Sequence, residues 1–334
     1  MIKNWRLDTS GQTLVLASDR DRLPSVIYWG APLPGDENLE QLYKAYLIDL
    51  TGGMLDENPD LSICPEATRS FPGQPGMILR SKSGQPILPK FCLHEDHSAS
   101  DDELRLSYKN VEGGIYYLAE FKAYEDSNII TAQSTLSADD PVHLDWLAAP
   151  ILPGPQMADE MIDFAGRWCG EFQEIRTPWQ AGMRYRENRT GRTGHEHFPG
   201  LVIPVRGATN TQGEVYAFHY GWSGGHRMVA EELADGRRQI QFGHAANVET
   251  EPSRKFETSP LYITYSDEGI NGSARAFQRH TRHHIVKFPD AARPRPVHYN
   301  CWEAVYYNHN LLDLKEIATQ AANLGAERFV LDDG

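Results

Sequence analysis

No stretch of the 334-residue sequence approaches eighteen consecutive apolar residues, so none has the length that a membrane-spanning helix needs. The first two dozen residues lack the apolar core of a secretory leader, and their best run, Leu14-Val15-Leu16-Ala17, has the length of a strand. Cysteine is scarce. Cys64, Cys92, Cys169 and Cys301 are scattered, without a C-x-x-C pair or a short metal spacing, which points to reduced thiols and a cytoplasmic location. Basic charge is in deficit as well, with 32 Lys and Arg against 46 Asp and Glu and a net charge of −14. That balance argues against nucleic acid or an anionic membrane as a partner. Low-complexity tracts and repeats of solenoid length are missing too, which excludes disorder, collagen and coiled coil.

What is present is a core-forming, turn-rich composition. Apolar residues make up 40% of the chain, enough for a sizeable core, and the length suggests about two domains. The 28 Gly and 21 Pro fit a β protein with many turns. The 7 Trp, 15 Tyr and 12 Phe suit a protein that binds flat apolar faces such as those of sugars.

Two textures divide the chain. Up to about residue 290 it reads as short strands, with alternation at Leu104-Leu106-Tyr108, Val215-Ala217-His219, Ile240-Phe242 and Leu261-Ile263-Tyr265 and turn signals between them. A large sandwich of antiparallel sheets is expected, interrupted by helices over Asn38–Tyr46 and Gly272–Val286. The proline-rich stretch Pro289–Pro296 reads as a linker. Beyond it, Val297–Tyr307 reads as a buried strand. A helix capped by Asn308 or Asn310 follows, with Leu311, Leu314, Ile317, Ala318, Ala321 and Leu324 on one stripe. Gly325 stands where a left-handed residue is wanted, and Arg328-Phe329-Val330-Leu331 reads as a second strand. Strand, helix, strand at this spacing is a parallel βαβ unit. Two parallel strands and a helix are not a stable domain, so the expectation is a β domain of residues 1–290 followed by the opening of an α/β domain, 291–334, that is cut off.

Asp332-Asp333 at the carboxyl end of a strand is the sharpest local signal. In (β/α)₈ barrels active sites gather at those ends, and carboxylates are good acceptors for sugar hydroxyls. The competing reading is a solvated turn whose aspartate caps the next helix. Trp302 either stacks on a sugar ring or fills the barrel mouth, and Glu303 fits a charged-pair or structural role better than an acid's. His195 and His197, two apart, and the group His280, His283 and His284 have spacings that suit a metal, but neither set has a third ligand nearby, so no metal is expected. Gly221–His226 departs from the G-x-S-x-G elbow, and no serine triad is expected.

The segment Asn300-Cys301-Trp302-Glu303-Ala304-Val305-Tyr306-Tyr307, with Glu327-Arg328-Phe329-Val330-Leu331-Asp332-Asp333-Gly334, resembles the opening of the catalytic barrel in α-galactosidases of glycoside hydrolase family 36. Cys301 departs from the Ser or Thr usual there. Thr51–Glu57, Gly166-Arg167-Trp168, Gly191-Arg192-Thr193, Trp222-Ser223-Gly224 and Tyr265–Gly269 are similar, in this order, to segments of the family's N-terminal domain. The resemblance implies an antiparallel β-supersandwich followed by the start of a (β/α)₈ barrel, truncated after its second strand. It implies a retaining hydrolase that releases terminal α-linked galactose from oligosaccharides, without a cofactor and as a homo-oligomer, its two catalytic aspartates lying beyond Gly334. By the resemblance Asp332 and Asp333 bind galactose hydroxyls, Trp302 lines the same pocket, and Asp56 and Trp168 match N-terminal residues that reach the pocket from a neighbouring subunit. Alternatives are a related galactosyl transferase, an α-N-acetylgalactosaminidase, or, for the chain as it stands, a non-catalytic sugar-binding or oligomerisation module.

Overall fold

Alternating burial is what turns this sequence into sheets. In the computed structural model, which describes residues 2–48, 58–246, 248–290 and 292–333, the strand Glu103–Asn110 buries Leu104, Leu106 and Tyr108 while Arg105 stays in solvent. Its neighbours repeat the pattern in strict antiparallel register, Leu106 opposite Ala119 and Tyr117 opposite Leu136. Among the described residues three antiparallel sheets form, of three, twelve and four strands, and a fourth, two-stranded sheet is parallel. The three-stranded sheet is built from Ile2–Asp8, Thr13–Asp19 and Ser25–Gly30, the four-stranded one from Leu152–Pro153, Arg238–His244, His226–Glu232 and Gly182–Glu187.

Aromatic side chains join the antiparallel sheets into one core. Trp29 of the small sheet meets Phe218 of the large one edge-on at 5.3 Å, and Phe218 stacks on Phe242 of the four-stranded sheet at 6.3 Å. This is the antiparallel supersandwich that the sequence led us to expect. Its longest strand, Ile129–Leu147, has 19 residues. It pairs with Ile115–Tyr124, with Met77–Ser81 near its far end, and with Ser253–Glu257 and Leu261–Ser266 from much later in the chain.

The helices within this unit begin where local chemistry allows. Asn38 caps Leu39–Tyr46 by accepting from the Gln41 amide at 3.1 Å. The second helix starts at Gly269, three residues before the expected Gly272, because Gly269 takes a left-handed φ of 69° and a Cβ there would stand 2.4 Å from the Thr209 carbonyl oxygen. It ends at His280 and widens into a π turn over Thr281–Ile285 instead of running to Val286.

Contacts divide the chain into two compact units, Met1–His283 and His284–Gly334. In the second, His298–Asn300 pairs in parallel with Arg328–Val330, connected through the helices Trp302–Val305 and Leu311–Asn323, so the βαβ reading holds. Asn310 caps the longer helix, accepting from the Leu312 amide at 2.8 Å, and Gly325 follows it with φ 98°. The expected strand over 297–307 is corrected. It stops at Asn300, whose side chain accepts from the Trp302 amide at 2.8 Å and opens a helical turn there. The second strand likewise ends at Val330, short of Leu331. The apolar stripe of the long helix is covered only in part: Ala321 is buried and Leu314, Ile317 and Ala318 are half-buried, while Leu311 is 67% and Leu324 90% exposed.

Such partial burial predicts weak local protection. In hydrogen exchange, the amides of Arg328–Val330 are expected to exchange at least tenfold faster than those of Glu103–Asn110. Equal protection in the two strands would refute this.

Candidate functional site

Asn300 organises the carboxyl ends of the two parallel strands. It lies opposite Val330 in the ladder, which the Cys301 amide extends by donating to the Val330 carbonyl at 3.1 Å. With the strands so registered, the Asn300 side-chain amide donates to Asp332 Oδ2 at 2.5 Å while its oxygen holds the Trp302 amide at 2.8 Å. One amide thereby ties Asp332 to the backbone of Trp302. Asp332 is half-buried, and its second oxygen can accept from a ligand hydroxyl. Asp333 is exposed and has a left-handed φ of 41°, which turns the chain sharply away from the strand.

The Trp302 ring is fixed by two neighbours, edge-on to Tyr306 at 5.3 Å and to Tyr307 at 4.9 Å. Glu303 is engaged locally, accepting from the Tyr306 hydroxyl at 3.1 Å, a bond that raises the phenol's pKa. The structure thus joins Asp332 with Trp302, leaves Asp333 beside them in sequence, and gives Glu303 a structural partner. Sequence reasoning assigned no role to Asn300; the signal was an amide at the end of a strand, where it can serve two backbone segments at once.

Trp168 belongs to the first unit. It sits at the tip of the hairpin formed by Glu160–Arg167 and Gly170–Pro178, with Cys169 at φ 58° making the turn, and it is 74% exposed. Its ring meets His195 at 6.0 Å. Behind the tip, Phe172 stacks on Phe164 at 4.7 Å and meets Phe198 at 4.9 Å, and the Phe198 amide donates to the Phe164 carbonyl at 3.1 Å. Thr193 donates through its amide to the Ser223 carbonyl at 2.6 Å and through its hydroxyl to the Trp222 carbonyl at 3.1 Å. Two segments singled out in the sequence, 191–193 and 222–224, are thereby joined, and Trp168 of a third, 166–168, reaches His195 close by in the chain. Asp56 lies outside the described residues.

A buried carboxylate links two sheets. Asp163, 1% exposed, takes Arg186 at 2.7 Å and Arg184 at 3.1 Å on one oxygen. Arg186 also lies 3.3 Å from His197 Nδ1, and burial pulls its pKa down. Among the described residues, no three His, Cys, Asp or Glu side chains gather as a metal would require. His195 and His197 serve the aromatic and guanidinium contacts just described. Cys64, Cys92, Cys169 and Cys301 form no disulfide among the described residues.

His226, 1% exposed, carries an acid-sensitive contribution to stability. Burial, aided by His197 and His219, pushes its pKa down to about 4, and its Nδ1 has no partner among the described residues. Because the folded pKa is below the unfolded one, the unfolded chain binds a proton that the folded chain refuses between about pH 6.5 and 4, so stability falls as pH drops through that window. His226→Gln should flatten the decline in urea midpoint between pH 7 and pH 4.5, leaving a remainder from His219, whose pKa burial also lowers. An unchanged slope would rule this out.

With the geometry in place, known proteins can be compared. The glycosyl hydrolase family 36 N-terminal domain matches residues 22–250, and the melibiase family matches residues 255–334. An α-galactosidase of Escherichia coli is 35% identical over 320 residues, covering 92% of this chain and 43% of the relative. The crystal structure of the family 36 α-galactosidase AgaA from Geobacillus stearothermophilus aligns with a TM-score of 0.86 at 22% identity, covering 99% of this chain and 50% of that one. A variant of AgaA in complex with stachyose aligns with a TM-score of 0.84 at 21% identity. The chain spans half or less of the length of these proteins.

Proposed function

This chain belongs to glycosyl hydrolase family 36, and from that premise we propose that it serves a retaining glycosidase releasing terminal α-linked galactose from oligosaccharides. The observation that carries the reading is Asp332, held at the end of a parallel strand by Asn300, which also fixes the Trp302 backbone. A charged acceptor tied through Asn300 to the backbone of a tryptophan suits a galactose ring, polar on one face and apolar on the other. Residues 291–334 then form the linker and the first βαβ unit of a (β/α)₈ barrel, with residues 1–290 as its supersandwich. Asp333 accepts further hydroxyls.

Retention calls for two carboxyls about 5–5.5 Å apart, one attacking the anomeric carbon and one protonating the leaving oxygen. Asp332 and Asp333 are assigned to binding, not to those two roles. We place Asp56 and Trp168 at the pocket of a neighbouring subunit in a homo-oligomer. The exposure of Trp168 on a braced hairpin suits contact with another chain. Free cysteines favour a cytoplasmic location. Relatives named α-galactosidase favour hydrolysis over galactosyl transfer and galactose over N-acetylgalactosamine.

The test is release of galactose from an aryl α-galactoside by the protein expressed at the full length of its relatives, with the first-formed anomer read by NMR. Initial α-galactose, unaffected by EDTA, is expected. Initial β-galactose overturns retention, and loss of activity in EDTA restored by zinc returns attention to His195 and His197.

A further inference from the structure

Two aromatic planes stand at right angles just past the end of the first parallel strand. The rings of Trp302 and Tyr307 meet at 4.9 Å with 90° between them. Both follow the carboxyl end of His298–Asn300, the end at which Asp332 follows the neighbouring strand. Trp302 is half-buried, whereas Tyr307 is 73% exposed. The Tyr306 hydroxyl is engaged by Glu303, but that of Tyr307 has no hydrogen-bond partner among the described residues.

The backbone holds Tyr307 in this place. Tyr306 takes a left-handed φ of 47°, a conformation that residues with a Cβ rarely adopt, and the chain turns there. The Tyr306 amide donates to the Trp302 carbonyl at 2.8 Å, the Asn308 amide to the Val305 carbonyl at 2.9 Å, and the His309 amide to the Tyr307 carbonyl at 3.0 Å. A bulky residue kept at such a φ is a backbone cost of the kind that binding sites carry.

We propose that Tyr307 is the platform for the sugar ring on the leaving side of the scissile bond, and so selects oligosaccharides over galactosides whose leaving group has no ring. The inference rests on the galactosidase reading, in which Asp332 and Trp302 take the galactose. In an α-galactoside the anomeric bond is axial, so the leaving ring turns out of the galactose plane. A second aromatic plane perpendicular to the first is a surface that two rings joined in this way can use. The unengaged phenol both donates and accepts, as the hydroxyls of a pyranose require. Protein beyond Gly334 is the competing cover for Tyr307, but the carboxyl ends of barrel strands are the face that such enzymes leave open to substrate.

The protein expressed at the full length of its relatives is assayed on two substrates that share galactose and differ in what departs. Melibiose loses a glucose ring, and α-galactosyl fluoride loses fluoride. Tyr307→Ala and Tyr307→Leu should each lower kcat/KM on melibiose about tenfold and leave it within about twofold on the fluoride. Tyr307→Phe keeps the ring face and should stay within about threefold of the parent on both. The leucine variant keeps the outcome readable if the alanine variant misfolds. Unchanged kcat/KM on melibiose, or an equal fall on both substrates, overturns the platform. An equal fall together with a lower melting temperature assigns the ring to the protein core instead. Failure of the unsubstituted protein on both substrates overturns the galactosidase reading itself, and the platform with it.

Discussion

Asp332→Asn is expected to lower kcat/KM on an aryl α-galactoside by one to two orders of magnitude in a chain of the relatives' full length, with Asp333→Asn doing the same. A hydrogen bond to a charged acceptor is worth about 1.5–3 kcal/mol, and each 1.4 kcal/mol of lost transition-state binding is tenfold in kcat/KM. Asparagine keeps the size and removes the charge. At 332 its oxygen can still accept from the Asn300 amide, which puts the new NH2 where the second carboxylate oxygen now stands to receive a ligand hydroxyl. At 333 asparagine tolerates the left-handed backbone as well as aspartate does, so the change adds no strain. Melting temperature should hold in both, because neither side chain is fully buried and a barrel's stability does not reside at its strand ends. Unaltered kcat/KM in both variants would remove the sugar-binding assignment. A fall in melting temperature with intact kinetics would make the pair a capped turn.

Asp163→Ala should be the most damaging single change in the sandwich, costing about 3–5 kcal/mol, the usual penalty for stranding a buried charge. Here two guanidinium groups lose their shared carboxylate, one of them already disfavoured by burial. The second oxygen of Asp163 has no hydrogen-bond partner among the described residues, so the pair is not optimal and its value lies in joining two sheets. Urea unfolding measures the loss. Adding Arg186→Met to Asp163→Ala should recover part of it by removing one unpaired charge. A loss below about 1 kcal/mol for Asp163→Ala would mean that water reaches the site and replaces the carboxylate.

The parts legible in the sequence were those governed by near neighbours. Leu104, Leu106 and Tyr108 announced a half-buried strand, and Asn38, Asn310 and Gly325 announced helix ends, because periodicity and capping are decided within a few residues. Trp302 was misread as strand for a related reason. Apolar content favoured extension, and the side chain of Asn300, two residues earlier, overrode it by capping a turn. Asp163 went unnoticed because its partners, Arg184 and Arg186, come from another sheet, and no local pattern marks a carboxylate that will be buried. The Asp332–Asn300 bond spans 32 residues, so the carboxylate was visible and its holder was not. The exposed ends of the apolar stripe, Leu311 and Leu324, show the same limit, since periodicity identifies a face that can be buried but not how much of it is covered.

The 19-residue strand Ile129–Leu147 also sets a schedule for synthesis. Its partners before it and beside it, Met77–Ser81 and Ile115–Tyr124, have been made by the time it is complete, but Ser253–Glu257 and Leu261–Ser266 follow more than a hundred residues later. At roughly 5–20 residues per second, a ribosome needs on the order of ten seconds to supply them. For that interval one edge of the strand at the centre of the large sheet is unpaired, a template for any other extended chain nearby. Codon choice between residues 148 and 266, or a chaperone that occupies the open edge, is therefore expected to change the yield of native protein without altering any contact in the finished fold.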